Sequence, residues 1–166
     1  ASDVYKRQVA NVLQYFLLIL RVQPGGAYGC MCNFSRNGYG FFTSYRDPNL
    51  SATLDVYKKA ADYVRNFEAG KRDMTKYIIG TISGIDQPLE PSALGERSFH
   101  AYQSGITVEM IQKERNQVLD ATEETIRSLA DYIESMMGAG TVCAIGNDRK
   151  LEEEKEMFKQ VCSLNQ

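Results

Sequence analysis

The chain is predicted to be α+β, a small antiparallel sheet covered on one side by several helices, and three observations carry that expectation. Two alternating apolar runs flank Asn37-Gly38, a dipeptide that favours a two-residue hairpin turn. Apolar residues then recur at steps of three and four through residues 50–137, and a short apolar run at 141–145 reads as a late strand. No strand-helix unit repeats along the chain, so the layout is not a parallel α/β one.

Residues 1–8, ASDVYKRQ, are set aside before the elements are placed. They back-translate to the end of a common transposon-based sequencing adapter read in frame, so they are read as an adapter artefact and residues 9–166 as the native module, incomplete at its N-terminal end. Residues 9–20, VANVLQYFLLIL, are apolar but too few to cross a bilayer as a helix. A buried helix is the expectation there.

The hairpin comes next. With Asn37-Gly38 as a two-residue turn, Phe34 faces Phe41, Cys32 faces Thr43 and Cys30 faces Tyr45. Tyr28, Cys30, Cys32, Phe34, Phe41, Thr43 and Tyr45 then share one side, and Gly29, Met31, Phe42, Ser44 and Arg46 the other. Asp47-Pro48-Asn49 stops the second run and opens a helix capped at Asn49 or Ser51, with Leu50, Leu54, Tyr57, Ala61 and Val64 as its apolar stripe.

The stretch 68–70 breaks that pattern, and Met74, Ile78, Ile82 and Ile85 restart it. Pro88 and Pro91 make a loop, Ser92 is expected to cap the next segment, and Gly105 to end it. A helix is expected over 108–119. Thr122, followed by Glu123 and Glu124, places a cap and two carboxylates at the positive end of another, with Ile126, Leu129, Ile133 and Met136 facing the core. After the late strand, Asn147 caps a last helix with Leu151, Phe158 and Val161 inward.

Composition narrows the function classes. At 166 residues with 43% hydrophobic content the chain can bury a real core. Nineteen basic against twenty-one acidic residues leave no basic stripe, so no nucleic-acid partner is expected, and no membrane partner either. The acidic run at 152–154 reads as a solvated helix face. The cysteines, Cys30, Cys32, Cys143 and Cys162, read as small buried hydrophobes of a reducing cytosol, and the expected location is cytoplasmic. His100 is the one histidine, so the chain cannot supply a two-histidine metal site; a helix residue bonded locally is the expectation for it.

Arg21, Gly25-Gly26-Ala27-Tyr28-Gly29 and, after the hairpin, Ser44-Tyr45-Arg46-Asp47-Pro48-Asn49 resemble the C-terminal half of the insulinase/pitrilysin-type zinc peptidases, in the presequence-protease branch. Tyr77-Ile78-Ile79-Gly80-Thr81-Ile82 and the stretch DQPLEPSALG at 86–95 are similar to the same branch, so the likeness covers residues 21–146. The branch usually has one residue fewer between its arginine and tyrosine than separates Arg21 from Tyr28. In fold terms the resemblance implies part of a larger antiparallel sheet with helices over it.

In function it implies a substrate-enclosing module of a zinc metalloendopeptidase, a hydrolase acting in proteolysis. In that family zinc is held by an inverted His-x-x-Glu-His motif in the N-terminal half. This chain has no such motif, so zinc belongs to the parent protein and none to this fragment, which is expected to be inactive alone. Arg21 and Tyr28 match the substrate-binding arginine and tyrosine, with Tyr28 also stabilising the transition state. The implied partners are unfolded peptide substrates and the N-terminal half of the same protein.

Spacing alone reads differently: Gly25-Gly26 as a tight turn, Tyr28 as a core aromatic with its hydroxyl at the rim, and Arg46 as a strand-end arginine paired with Asp47 or Asp86. Two other functions stand beside the peptidase. A noncatalytic homologue would assemble or hold peptides, and the upstream zinc motif discriminates it. A nucleotide-binding loop at 25–29 is disfavoured because those glycines lead into a strand, whereas a phosphate loop follows a strand and opens a helix. If sheet strands lie upstream, the open hairpin edge and residues 9–20 are left without their partners and become the expected self-association surface.

Overall fold

The computed structural model describes residues 3–17, 20, 22, 25–35 and 39–163. Helix α1 (Asp3–Leu17) leads into an antiparallel hairpin, β1 (Gly29–Phe34) and β2 (Gly40–Tyr45). Among the described residues eight α-helices follow: α2 (Leu50–Lys58), α3 (Ala60–Arg65), α4 (Lys71–Ile85), α5 (Pro91–Gln103), α6 (Val108–Leu119), α7 (Glu123–Arg127), α8 (Ala130–Ala139) and α9 (Asp148–Glu153), with a 3-10 turn at Lys155–Met157. The α+β class therefore holds, with one correction. The run at 141–145 forms no strand, and Ile145 is 82% exposed. A short apolar run says nothing about a pairing partner, and the sheet among the described residues has two strands.

Helix α1 sits at the centre of the domain. Val9, Val12, Leu13 and Leu17 are buried, meeting a core built from Val64 of α3, Ile126 of α7 and Ile133 of α8. Its polar residues clasp its neighbours: Asn11 Nδ2 donates to Thr81 Oγ1 of α4 at 2.7 Å, and Gln14 Nε2 to the Cys30 carbonyl of β1 at 2.6 Å. The expectation that residues 9–20 lack partners is overturned for 9–17, because the hairpin and the later helices close over that helix.

The hairpin register also differs from the expected one. Cys30 pairs with Ser44, Cys32 with Phe42 and Phe34 with Gly40, one residue away from the alignment of a two-residue turn. The Asn37-Gly38 turn itself lies outside the described residues. The ladder closes where Ser35 N donates to Tyr39 O at 2.8 Å. A one-residue slip turns a whole strand over. Phe42 and Ser44 thus join Cys30, Cys32 and Phe34 on the inner face, while Phe41, Thr43 and Tyr45 join Gly29 and Met31 outside.

Packing explains the register. A Cβ built on Gly40 would collide with Met136 Sδ and lie 2.7 Å from Phe34 Cδ1, so a side chain opposite Phe34 and beneath α8 fits only if those neighbours shift. Phe34 meets Phe42 and Tyr132 edge-on, and Phe42 stacks on Tyr57 at 5.0 Å.

Most helix ends follow the sequence. Thr107 caps α6 by accepting from Met110 N, and Thr122 forms a capping box with Thr125 at the start of α7. Ile106 N bonds Ala101 O and Gly105 N bonds Tyr102 O, the paired closure that stops α5. Asn147 caps α9 through Arg149 N and Lys150 N. Two expectations fail. Helix α5 begins at Pro91 with Glu90 as its N-cap, so Ser92 is already inside it. Helix α9 ends at Glu153, so Phe158 and Val161 lie beyond it, and Val161 is exposed.

Candidate functional site

Two of the stretches singled out by sequence, 25–28 and 45–49, run side by side at the base of the hairpin. Tyr28 N donates to Tyr45 O at 3.1 Å just outside the first ladder pair. Asn49 Nδ2 donates to Gly25 O at 3.1 Å. Gly26 adopts φ +75°, and a Cβ there would touch Pro48 Cγ at 3.4 Å. The glycine cluster thus serves a left-handed turn that lets the chain pass close to Pro48.

Asp47 ties down the other segment. Its Oδ1 accepts from Asn49 N at 3.0 Å, and its Oδ2 accepts from the Thr53 hydroxyl. Asn49 is the N-cap residue of α2 by position, yet its side chain reaches across to Gly25 rather than to the helix. The orphan Ser51 N–H is met instead by Glu154 Oε2 at 3.0 Å, from the far end of the chain. The acidic run at 152–154 is therefore more than a solvated face. Sequence spacing gives no sign of a partner 103 residues away.

Tyr28 stands out from this base. It is 73% exposed, which rules out the core-aromatic reading taken from spacing. Its ring meets Tyr45 edge-on at 5.9 Å. The Arg46 guanidinium lies over both rings, 5.7 Å from the Tyr28 centroid and 5.4 Å from that of Tyr45. Arg46 does not pair with Asp47 or Asp86 as expected: Asp47 is engaged with Asn49 and Thr53, and Asp86 takes a bidentate bond from Arg115, with Nη2 to Oδ2 at 2.7 Å. That Arg115 hydrogen bond holds the Asp86 carboxyl below the usual carboxylate range. Arg21, the other expected substrate-binding residue, lies outside the described residues.

The cysteines divide into two classes. Cys30 and Cys32 are buried on the inner hairpin face, and burial pushes the Cys32 thiol up to about 12. Cys143 and Cys162 are exposed, against the expectation that all four are buried. His100 lies exposed on α5, 3.8 Å from Glu96. Among the described residues no three His, Cys, Asp or Glu side chains are grouped to hold a metal ion, and no helix is long and apolar enough to cross a membrane. The side chains described here do not fit a zinc site.

A helix-covered hairpin with an exposed tyrosine-arginine cluster at its base defines an α+β module. The model of the PreP C-terminal domain matches residues 7–148, and the chain belongs to that family, as a C-terminal module of a peptidase family. The chain is 42% identical over 140 residues to Protein HypA of Clostridium perfringens, covering 84% of this chain and 14% of that protein. It is 34% identical over 129 residues to presequence protease 1, chloroplastic/mitochondrial, of Arabidopsis thaliana, covering 77% and 12% respectively. To the mitochondrial presequence protease of Emericella nidulans it is 33% identical over 144 residues, covering 86% and 13%. The chain thus spans only 12–14% of the length of these curated relatives.

The family resemblance read from residues 21–146 is upheld by this match. The cytoplasmic location is not. Relatives from a plant and a fungus are named for chloroplasts and mitochondria, which points to organelles rather than the cytosol. Neither composition nor reduced cysteines could distinguish these compartments.

Proposed function

We propose that this chain is the C-terminal, substrate-enclosing module of a zinc-dependent metalloendopeptidase that degrades unfolded peptides. In this reading Tyr28 and Arg21 contact the substrate, the N-terminal half of the same protein closes against the module, and the zinc is held outside this chain. The observation that carries it is Tyr28, which lies 73% exposed on a base braced by backbone, Asn49 and Pro48. A phenol presented this way can donate its O–H to an oxygen that gains negative charge as a peptide bond is attacked. Such a donor is worth most where water is excluded, which enclosure by the other half supplies.

Names of the relatives support the peptide substrate: they are called presequence proteases. The isolated chain is expected to hydrolyse no peptide, with or without added zinc. Zinc-dependent cleavage that follows the chain through a sizing column and stops with a chelator would overturn the division of labour. We also keep residues 1–8 as adapter-derived and 9–166 as the module. Resequencing the locus checks that boundary.

A further inference from the structure

We propose that Arg46 is the positioning residue for Tyr28, an assignment that rests on the reading of Tyr28 as a substrate contact. Arg46 has φ +48°, and it is the non-glycine residue with positive φ among those described. A bulky side chain in the left-handed region is uncommon and is kept only where the surroundings hold it. Here the turn swings the chain from β2 into Asp47-Pro48-Asn49 and sends the guanidinium back over the rings of Tyr28 and Tyr45.

Three contacts define the geometry. Tyr45 supplies a wall against which the Tyr28 ring rests edge-on, and Arg46 lies over both rings. The carboxylates that sequence offered as partners for Arg46 are committed elsewhere, Asp47 to Asn49 and Thr53 and Asp86 to Arg115. The guanidinium is therefore spent on the aromatic pair. An exposed tyrosine has few neighbours to select its rotamer, and a cation over its face restricts the ring. Arg46 thus acts through Tyr28, by raising the share of time the phenol points where a substrate can use it.

The test uses the complete parent protein and a peptide substrate. Arg46→Gly keeps the left-handed turn and removes only the side chain, so folding is preserved. Turnover is expected to fall about two- to fivefold, the loss an exposed cation–π contact can account for, with KM unchanged. Arg46→Lys, which keeps a cation near the rings, is expected to lose less than Arg46→Gly. In a Tyr28→Ala background, Arg46→Gly is expected to add no further loss.

Losses that multiply in the double variant would overturn the inference, because Arg46 would then act on the substrate itself. Full turnover in Arg46→Gly beside impaired Tyr28→Ala would overturn it alone and leave the role of Tyr28 standing. Full turnover in Tyr28→Ala would remove both.

Discussion

The two faces of the hairpin are built from similar side chains and meet opposite environments. Inside, Cys30, Cys32 and Phe34 are buried, and Phe42 packs against Tyr57. Outside, Met31, Phe41 and Tyr45 are exposed, Phe41 at 52% against 8% for Phe34. Hydrophobicity does not separate these sets. What separates them is register: the closure at Ser35 and Tyr39 and the gap at Gly40 go with the set of β2 residues that turns towards α2 and α8. The inner face is therefore the one that stability depends on, and the outer face is exposed and continuous with Tyr28 through Tyr45.

The sharpest way to break this contrast is to truncate one aromatic from each face. Phe34→Ala is expected to cost about 3–5 kcal/mol, and Phe41→Ala no more than about 0.5 kcal/mol. Urea unfolding of both variants measures the difference; equal costs would mean that the register is the one expected from a two-residue turn. Gly40→Ala probes the same point with a single methyl. Overpacking against Phe34 and Met136 is expected to cost about 1–3 kcal/mol, read as a lower midpoint at constant m-value.

The cysteines give the smallest effect. In the folded chain a thiol reagent is expected to modify Cys143 and Cys162 rapidly and to reach Cys30 and Cys32 only after unfolding. Because burial holds the Cys32 thiol protonated in the fold, the unfolded chain loses that proton first. Stability should therefore decline as pH rises from the ordinary value of 9.0 towards about 12, and a Cys32→Ser variant should show a shallower decline. Fast labelling of all four thiols in a folded sample would show that the inner face is open.

Signals in the sequence are legible where the physics is local. Thr122, Asn147 and Gly105 mark helix ends because a side chain or a turn satisfies groups within a few residues. Ile126, Leu129 and Ile133 face the core as helical spacing predicts, although the one expected helix breaks into α7 and α8 between Arg127 and Ala130. Long-range choices were not legible. The register rests on Met136 of α8 crowding Gly40, the α2 N-terminus on Glu154, and the base of the site on Asn49 reaching Gly25. Tyr28 stands out in the sequence only through the family resemblance, and nothing in the spacing places the Arg46 guanidinium over its ring. The run at 141–145 misled because apolar character without a paired neighbour does not make a strand.

Tyr28→Phe in the complete parent protein tests the central claim most directly, since it removes one hydroxyl and keeps the ring between Tyr45 and Arg46. The account gives a kcat lower by about tenfold or more, a KM changed by no more than about threefold, and a fold of unchanged stability. Turnover equal to that of the unaltered protein would contradict it and return Tyr28 to a surface aromatic at the end of a hairpin.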